Sequence, residues 1–215
     1  EMLDAAYRKE IKAIYLVGEN PALSDPDAQH VCEALAKLEF FVVQDIFLSE
    51  TAKFAHVVLP AASFAEKDGT FTNTERRVQR VRKAIEPIGD SKPDWWIISQ
   101  VAKGLGARGF DYIHSSDIME EIRGLTPSYG GISYHRLESG GLQWPCPIED
   151  HPGTAILHTS IFVRGKGRFI PLKYVPPGEL PDEQYPLILT TGRSLYHFHT
   201  GTMTRKVAAL NIIET

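Results

Sequence analysis

Three apolar runs dominate the first third of the chain: IKAIYLV at 11–17, FFVVQDIF at 40–47 and HVVLP at 56–60. Each has strand length, is rich in branched or aromatic residues, and predicts a buried strand. Between the first two lies SDPDAQHVCEALAKLE, where Ala28, Val31, Cys32 and Leu35 share one helical face. Ser24 or Asp25 is its expected cap, with Pro26 in the first turn. SETAKFA, capped by Ser49, predicts a short helix before the third strand. Strands alternating with crossover helices pair in parallel. The predicted fold class is therefore α/β: a Rossmann-like, mostly parallel sheet with flanking helices. Ligands of such sheets lie beyond the carboxyl ends of the strands. Those ends read GENP, QDIFLSET and LPAASFAEKDGT, and all three are polar.

The pattern then changes. FAEKDG predicts a loop, and TFTNTERRVQRV a hairpin with Phe71, Val78 and Val81 inward. KPDWWIISQVAKGLG predicts a helix with Pro93 in its first turn and Ile98, Val101, Ala102 and Leu105 on one face. SSDIMEEIRG predicts a shorter, serine-capped helix. From 126 to 184 proline and glycine are frequent, which predicts an extension with little regular structure, a weak hairpin around 161–174 and a linker at VPPGELPDEQ. YPLILTTGR then predicts a strand opening a new domain. The expected boundaries are 1–125, 126–184 and 185–215.

The length of 215 residues suits one domain plus part of another, and 43% hydrophobic residues mark a soluble globular chain. No apolar run approaches the roughly eighteen residues of a membrane helix. A net charge of −4 argues against a nucleic-acid partner. Arg76, Arg77, Arg80, Arg82 and Lys83 cluster, and on charge alone they read as a solvated face. Cys32 and Cys146 form no Cys-x-x-Cys pair, which excludes an iron–sulfur or zinc site built from cysteines of this chain. Sparse cysteine fits a cytoplasmic location. Both ends read as interrupted elements, so a fragment of a longer protein is expected.

The strand ends carry the candidate chemistry. Gly18 lets backbone approach a ligand, although GENP is not a G-x-G-x-x-G fingerprint. Asp45 suits two donors, as from ribose hydroxyls or a guanine edge, or else serves as a cap. Near the C-terminus, Thr190, Thr191, Arg193, Tyr196, His197, His199 and Thr200 surround a glycine turn, a donor set that suits phosphates. His197 and His199 lack further ligands for a metal. Glu66 and Asp68, being loop neighbours, read as structural rather than as an acid/base pair. No Ser-His-Asp order or nucleophile elbow stands out.

In order along the chain stand VGENP, VVQDIFLSETAKFAHVVLPAASFAEKDGTFTNTERRVQ, KPDWWI, GLQWPCP, GKGRFIPL and YPLILTTGRSLYHFHTGTMTRK. From about residue 11 onward this resembles the large catalytic subunit of formate dehydrogenases, in the molybdopterin oxidoreductase family. The resemblance implies a bis-molybdopterin guanine dinucleotide cofactor with molybdenum or tungsten, and a [4Fe–4S] cluster in an N-terminal part. It implies formate and CO2 as substrates and electron-transfer subunits as partners. By position, Gly18, Glu19 and Asn20 resemble a turn that contacts a guanine dinucleotide. Gln44, Asp45, Ser49 and Thr51 resemble a nucleotide-recognising strand end, and Glu66, Asp68 and Asn73 a loop lining the cofactor. Thr191, Gly192, Arg193, Tyr196, His197 and Thr200 resemble the contacts of a C-terminal domain to the pterin and its phosphates. On this basis 1–125 is a dinucleotide-binding domain, and 185–215 begins a second one. The family's metal-ligating cysteine or selenocysteine, its adjacent histidine and its formate-binding arginine have no counterpart here. The resemblance thus implies no catalytic or metal-ligating residue in this chain, and no activity from it alone. Two alternatives remain: an electron-transfer scaffold related to the large subunit of NADH dehydrogenase, and a nucleotide-binding regulatory module.

Overall fold

A computed structural model describes residues 1–162 and 164–214. These form two compact units, 1–157 and 158–215.

In the first unit, helix α1 (Met2–Tyr7) precedes strand β1 (Ala13–Val17), and a short helix α2 (Pro21–Ser24) leads into α3 (Ala28–Ala36). Strands β2 (Phe40–Asp45) and β3 (Val57–Pro60) complete a parallel sheet of order β1-β2-β3. Val17 pairs with Gln44, and Gln44 with Leu59, so the three carboxyl ends finish side by side. One sheet face packs on α1 and α3 through Ala6, Val31, Ala34, Leu35, Phe41 and Val43. The sheet is not buried on both faces: Tyr15, Val17, Phe40 and Val57 on the strands stay exposed.

Helix α3 starts later than its composition suggested. Asp27 caps it, accepting from the His30 amide at 3.3 Å, and the first buried residue is Val31, with Ala28 left exposed. Pro26 falls outside because α2 takes up the chain before it. Ser49 does cap, accepting from the Ala52 amide at 3.2 Å, but the turn it starts at Thr51–Phe54 is a 3-10 turn.

Strands β4 (Gly69–Thr72) and β5 (Arg77–Val81) form the expected hairpin, joined by β6 (Leu142–Gln143). Val78 is buried, whereas Phe71 points to the exposed side. Helix α4 (Asp94–Gly104) buries Ile97 and Ser99 in place of Ile98 and Leu105, its face rotated by one position. Helix α5 (Ser115–Leu125) is capped through Asp117, which accepts the Ile113 and His114 amides at 2.9 Å, and not by a serine.

The first unit runs past residue 125 to Leu157. Helix α6 (Tyr134–Leu137) and the segments around it join a second core of Val78, Met119, Ile132, Leu137 and Cys146. This segment is irregular yet packed, because arginines supply partners for its carbonyls, as buried backbone requires. Arg76 donates to the carbonyls of Trp144, Thr154 and Ala155. Arg136 donates to those of Gly131 at 2.6 Å and His151 at 2.8 Å. Arg76, Arg77 and Arg80 are therefore not a solvated face, whereas Arg82 and Lys83 are exposed as expected. Arg80 stacks 3.9 Å over Tyr134 and pairs with Glu138 at 2.6 Å, and Arg77 reaches the Gly141 carbonyl.

In the second unit, YPLILTTGR is not a strand. Leu187, Ile188 and Leu189 are exposed and lie outside any regular element, and no described neighbour offers a ladder to pair with. Around 161–174 the described residues form only the bridge between Phe162 and Gly165, in place of a hairpin. The unit ends in helix α7 (Ala208–Ile213). Among the described residues no helix is long and apolar enough to cross a membrane.

Candidate functional site

The tips of β1 and β2 are built around two buried polar residues. Asn20 follows the β1 turn, and its Oδ1 accepts both the amide of Thr51 at 3.1 Å and the Thr51 hydroxyl at 2.8 Å. Its Nδ2 donates to Glu50 at 2.8 Å. Thr51 in turn accepts the Ala22 amide at 3.0 Å. Gln44, wholly buried, has its amide engaged by the Tyr15 hydroxyl and by Asp94 at 2.7 Å. Its carbonyl takes the Gly18 amide at 2.9 Å. Asp45 is half-buried and accepts the Phe47 amide at 3.0 Å.

These bonds bring Gly18, Glu19, Asn20, Gln44, Asp45, Ser49 and Thr51 into one patch at the carboxyl end of the sheet. Within it, Asn20, Gln44, Ser49 and Thr51 are framework, their polar atoms engaged internally. The exposed surface is made by Gly18, Glu19 and part of Asp45. Gly18 holds φ +66, which favours glycine, and a Cβ there would meet nothing within 4 Å. The space beside its backbone is open to a ligand. Glu19 is exposed beside Gly18, and Asn20 follows it at the start of α2.

The loop after β3 is arranged differently. Glu66 is buried and accepts the Ser63 amide at 2.7 Å and the Ile88 amide at 2.9 Å. The Ser63 amide first, then the Ser63 hydroxyl and the Ile88 amide, hold its carboxyl below the ordinary glutamate value. Glu66 thus pins two chain segments and leaves little for a ligand. A depressed folded-state pKa stabilises the fold above the ordinary value of 4.5, and that stabilisation disappears as pH falls through the lowered value. Glu66→Gln should therefore be less stable than the native chain at neutral pH, with the gap narrowing towards about pH 3. Chemical denaturation at the two pH values checks this, and an equal gap at both would contradict it. Asp68 is exposed and lies 3.6 Å from Arg80. Asn73 closes the hairpin, its Oδ1 accepting the amides of Glu75 and Arg77 at 3.1 and 3.0 Å. Its carbonyl oxygen is spent on the turn.

In the second unit, Gly192, Arg193, Tyr196, His197 and Thr200 line an open groove of ≈ 760 Å³. His197 is buried. Its Nε2 lies 3.0 Å from the Glu214 carbonyl, and its Nδ1 lies 3.1 Å from the Thr204 hydroxyl. That hydroxyl also accepts the Phe198 amide at 3.2 Å. His197 therefore holds the loop, while Thr191, Arg193 and Thr200 are exposed.

Residues 1–104 match the model of the molybdopterin oxidoreductase family. The chain carries a molybdopterin oxidoreductase domain. Across the full chain it is 55% identical to the F420-dependent formate dehydrogenase subunit alpha of Methanocaldococcus jannaschii, covering 32% of that protein. It is 46% identical over 98% of its length to the assimilatory nitrate reductase catalytic subunit of Bacillus subtilis, covering 31% of it. The chain spans between about a fifth and a third of the length of the curated relatives it matches. Acetylene hydratase from Pelobacter acetylenicus matches 65% of the chain and 20% of its own, with a TM-score of 0.55 and 18% identity, a likeness of fold.

The molybdopterin oxidoreductase domain includes the strand-end patch and the 66–73 loop, and the patch fits a molybdopterin cofactor. A phosphate-bearing tail needs N–H donors, which the Glu19 and Asn20 amides offer. The N–H edge of a pterin needs acceptors, which carboxylates offer. Two residues that shape this patch were not singled out from sequence. Lys67 and Asp94 meet beneath Gln44, although they lie 27 residues apart and Asp94 lies 50 residues from Gln44. Asp94 signals only a helix start in the sequence, and nothing periodic ties it to β2.

Proposed function

We propose that this chain is part of the catalytic subunit of a formate dehydrogenase, and that its strand-end patch holds the guanine dinucleotide tail of the cofactor. The observation that carries the proposal is 55% identity to a formate dehydrogenase subunit over the whole chain, strand ends included. The cofactor is a bis-molybdopterin guanine dinucleotide with molybdenum or tungsten, and a [4Fe–4S] cluster lies in another part of the polypeptide. When bound, the metal centre accepts the two electrons as formate becomes CO2 and a proton, or supplies them in reverse.

This chain's residues bind and orient. The amides of Glu19 and Asn20 meet phosphate oxygens, and Gly18 keeps the approach clear of side chains. Glu19 and Asp45 present carboxylates to the donor edge of the guanine. Asn20, Ser49 and Thr51 fix these groups in place, and Glu66 and Asn73 fix the loop beside them. In the second unit Arg193 faces phosphate while His197 shapes its loop. No residue of the chain takes part in the chemical step. The whole enzyme works in the cytoplasm and passes electrons to electron-transfer subunits.

A second reading, nitrate reduction, is favoured by the 46% identity to the nitrate reductase catalytic subunit, which differs little from the formate dehydrogenase figure. The two readings share the cofactor grip and differ in the substrate. Assays of the full-length protein with formate plus an artificial electron acceptor, and with nitrate plus a reduced donor, separate them. Formate-dependent reduction of the acceptor is expected; nitrate turnover alone would transfer the assignment to the second reading. Acid release of GMP from the same sample reports the guanine dinucleotide. A preparation without GMP would point to an electron-transfer scaffold.

A further inference from the structure

Gln44 occupies a fully buried position at the end of β2. A buried amide costs stability unless its groups are paired. The Gln44 Oε1 accepts the Tyr15 hydroxyl, and the Nε2 donates to Asp94 Oδ1 at 2.7 Å. The other oxygen of Asp94 accepts Lys67 Nζ. Two separate segments therefore meet on the Gln44 side chain, β1 through Tyr15 and the first turn of α4 through Asp94, and the loop before β4 reaches it at one remove, through the Lys67–Asp94 pair. The main chain of Gln44 continues the sequence of bonds, since its carbonyl accepts the Gly18 amide at 2.9 Å. Gly18 sits in its left-handed turn immediately before Glu19 and Asn20.

We infer that Asp94 and Lys67 are positioning residues for the strand-end patch. Asp94 holds the Gln44 amide, Gln44 holds the Gly18 turn, and Lys67 keeps the carboxylate aimed at Gln44. Only a carboxylate serves at position 94. It accepts from an amide on one oxygen and from an ammonium on the other, whereas asparagine has a single acceptor and would set its NH2 against one of those donors. Removing Lys67 leaves an ionised carboxylate beside a buried amide with its counter-charge gone, and the carboxylate turns towards water. In both cases Gln44 loses a fixed partner, and the main-chain bond to Gly18 loses its support. The functional consequence rests on the proposal that the patch holds the cofactor tail; the coupling itself is a property of the chain.

Hydrogen exchange of the full-length protein tests it, comparing the native chain with Asp94→Ala, Asp94→Asn, Lys67→Met and Lys67→Arg. Exchange of the Gly18 amide should rise at least about tenfold in Asp94→Ala. It should rise less in Asp94→Asn and Lys67→Met, and return towards native in Lys67→Arg. Amides of Phe41–Val43, in the same strand but away from the network, should stay within about twofold of native. Unchanged exchange at Gly18, or a rise at Gly18 matched by an equal rise at Phe41–Val43, would overturn the inference. Asp94→Asn, nearly isosteric, supplies the answer if Asp94→Ala fails to fold. GMP released from the same samples reads the functional part. A fall in GMP alongside faster Gly18 exchange supports both the coupling and the cofactor site. Faster exchange with GMP unchanged keeps the coupling and removes the cofactor from this patch.

Discussion

Gly131→Ala is expected to destabilise the Glu1–Leu157 unit by about 3 kcal/mol, a midpoint shift of about 6–12 °C for a unit of this size. A Cβ at Gly131 would lie 2.1 Å from the Ile148 carbonyl oxygen and 3.0 Å from Cys146 Sγ. The first obstacle is backbone, so no side-chain rotation relieves it. The segment cannot simply move aside either, because the Gly131 amide donates to the Cys146 carbonyl at 2.7 Å and Arg136 holds the Gly131 carbonyl. Shifting the loop would strip partners from several buried groups at once. Gly124→Ala provides the contrast. It lies inside α5, nothing stands within 4 Å of its Cβ position, and its φ is ordinary. There alanine should stabilise by about 0.5–1 kcal/mol. Thermal melts of the two variants should therefore move in opposite directions. A Gly131→Ala protein melting within a degree or two of native would show that the loop yields, and that its arginine clamps are weak.

Those clamps mark where sequence stops being informative. Strands β1, β2 and β3 are legible because their apolar runs are short, branched and closed by turn residues, and a parallel sheet follows from the helices between them. Which helix face is buried is less legible. On α4, the two tryptophans and two isoleucines in succession leave the apolar stripe ambiguous by one position, and Ile97 is buried where Ile98 was expected. Burial of a strand on both faces cannot be read from its own residues, since it depends on what lies opposite. For β1 one face has α1 and α3 against it, while Tyr15 and Val17 have no such layer. The same reasoning covers YPLIL, which has strand composition but no described neighbour to pair with. Arg76 and Arg136 defeat local reasoning altogether, because a carbonyl clamp has no periodicity and its acceptors lie in irregular chain. The candidate site divides along the same line. Gly18, Asn20 and Asp45 follow from strand ends and turn chemistry. That Asn20 and Gln44 are framework while Glu19 is surface depends on partners distant in sequence, namely Thr51 and Asp94.

Asn20→Ala tests that division most sharply, with an expected loss of about 2–4 kcal/mol in the first unit. The estimate follows from what is left behind. Asn20 Oδ1 accepts two donors from Thr51, a residue with no exposed surface. With alanine in place, the Thr51 amide and hydroxyl both lose their acceptor inside the fold, and each unpaired buried group costs about 1–3 kcal/mol. Water reaches Asn20 poorly, since only 8% of it is exposed, so solvent recovers little of the loss. Asn20→Asp should fall between alanine and native. It keeps an acceptor for Thr51 but gives up the Nδ2 donor, placing a second carboxylate beside Glu50. Denaturant unfolding should therefore rank the three proteins native, aspartate, alanine. GMP content of the full-length protein should fall in the same order, because Asn20 anchors the turn whose amides we propose to meet the cofactor tail. Glu19→Gln completes the comparison from the exposed side. Among the described residues no hydrogen bond or ion pair engages its carboxylate, so stability should stay within about 0.5 kcal/mol of native while GMP retention falls. Reduced stability in Asn20→Ala with undiminished GMP in both variants would leave Asn20 as a fold residue and move the guanine away from this turn.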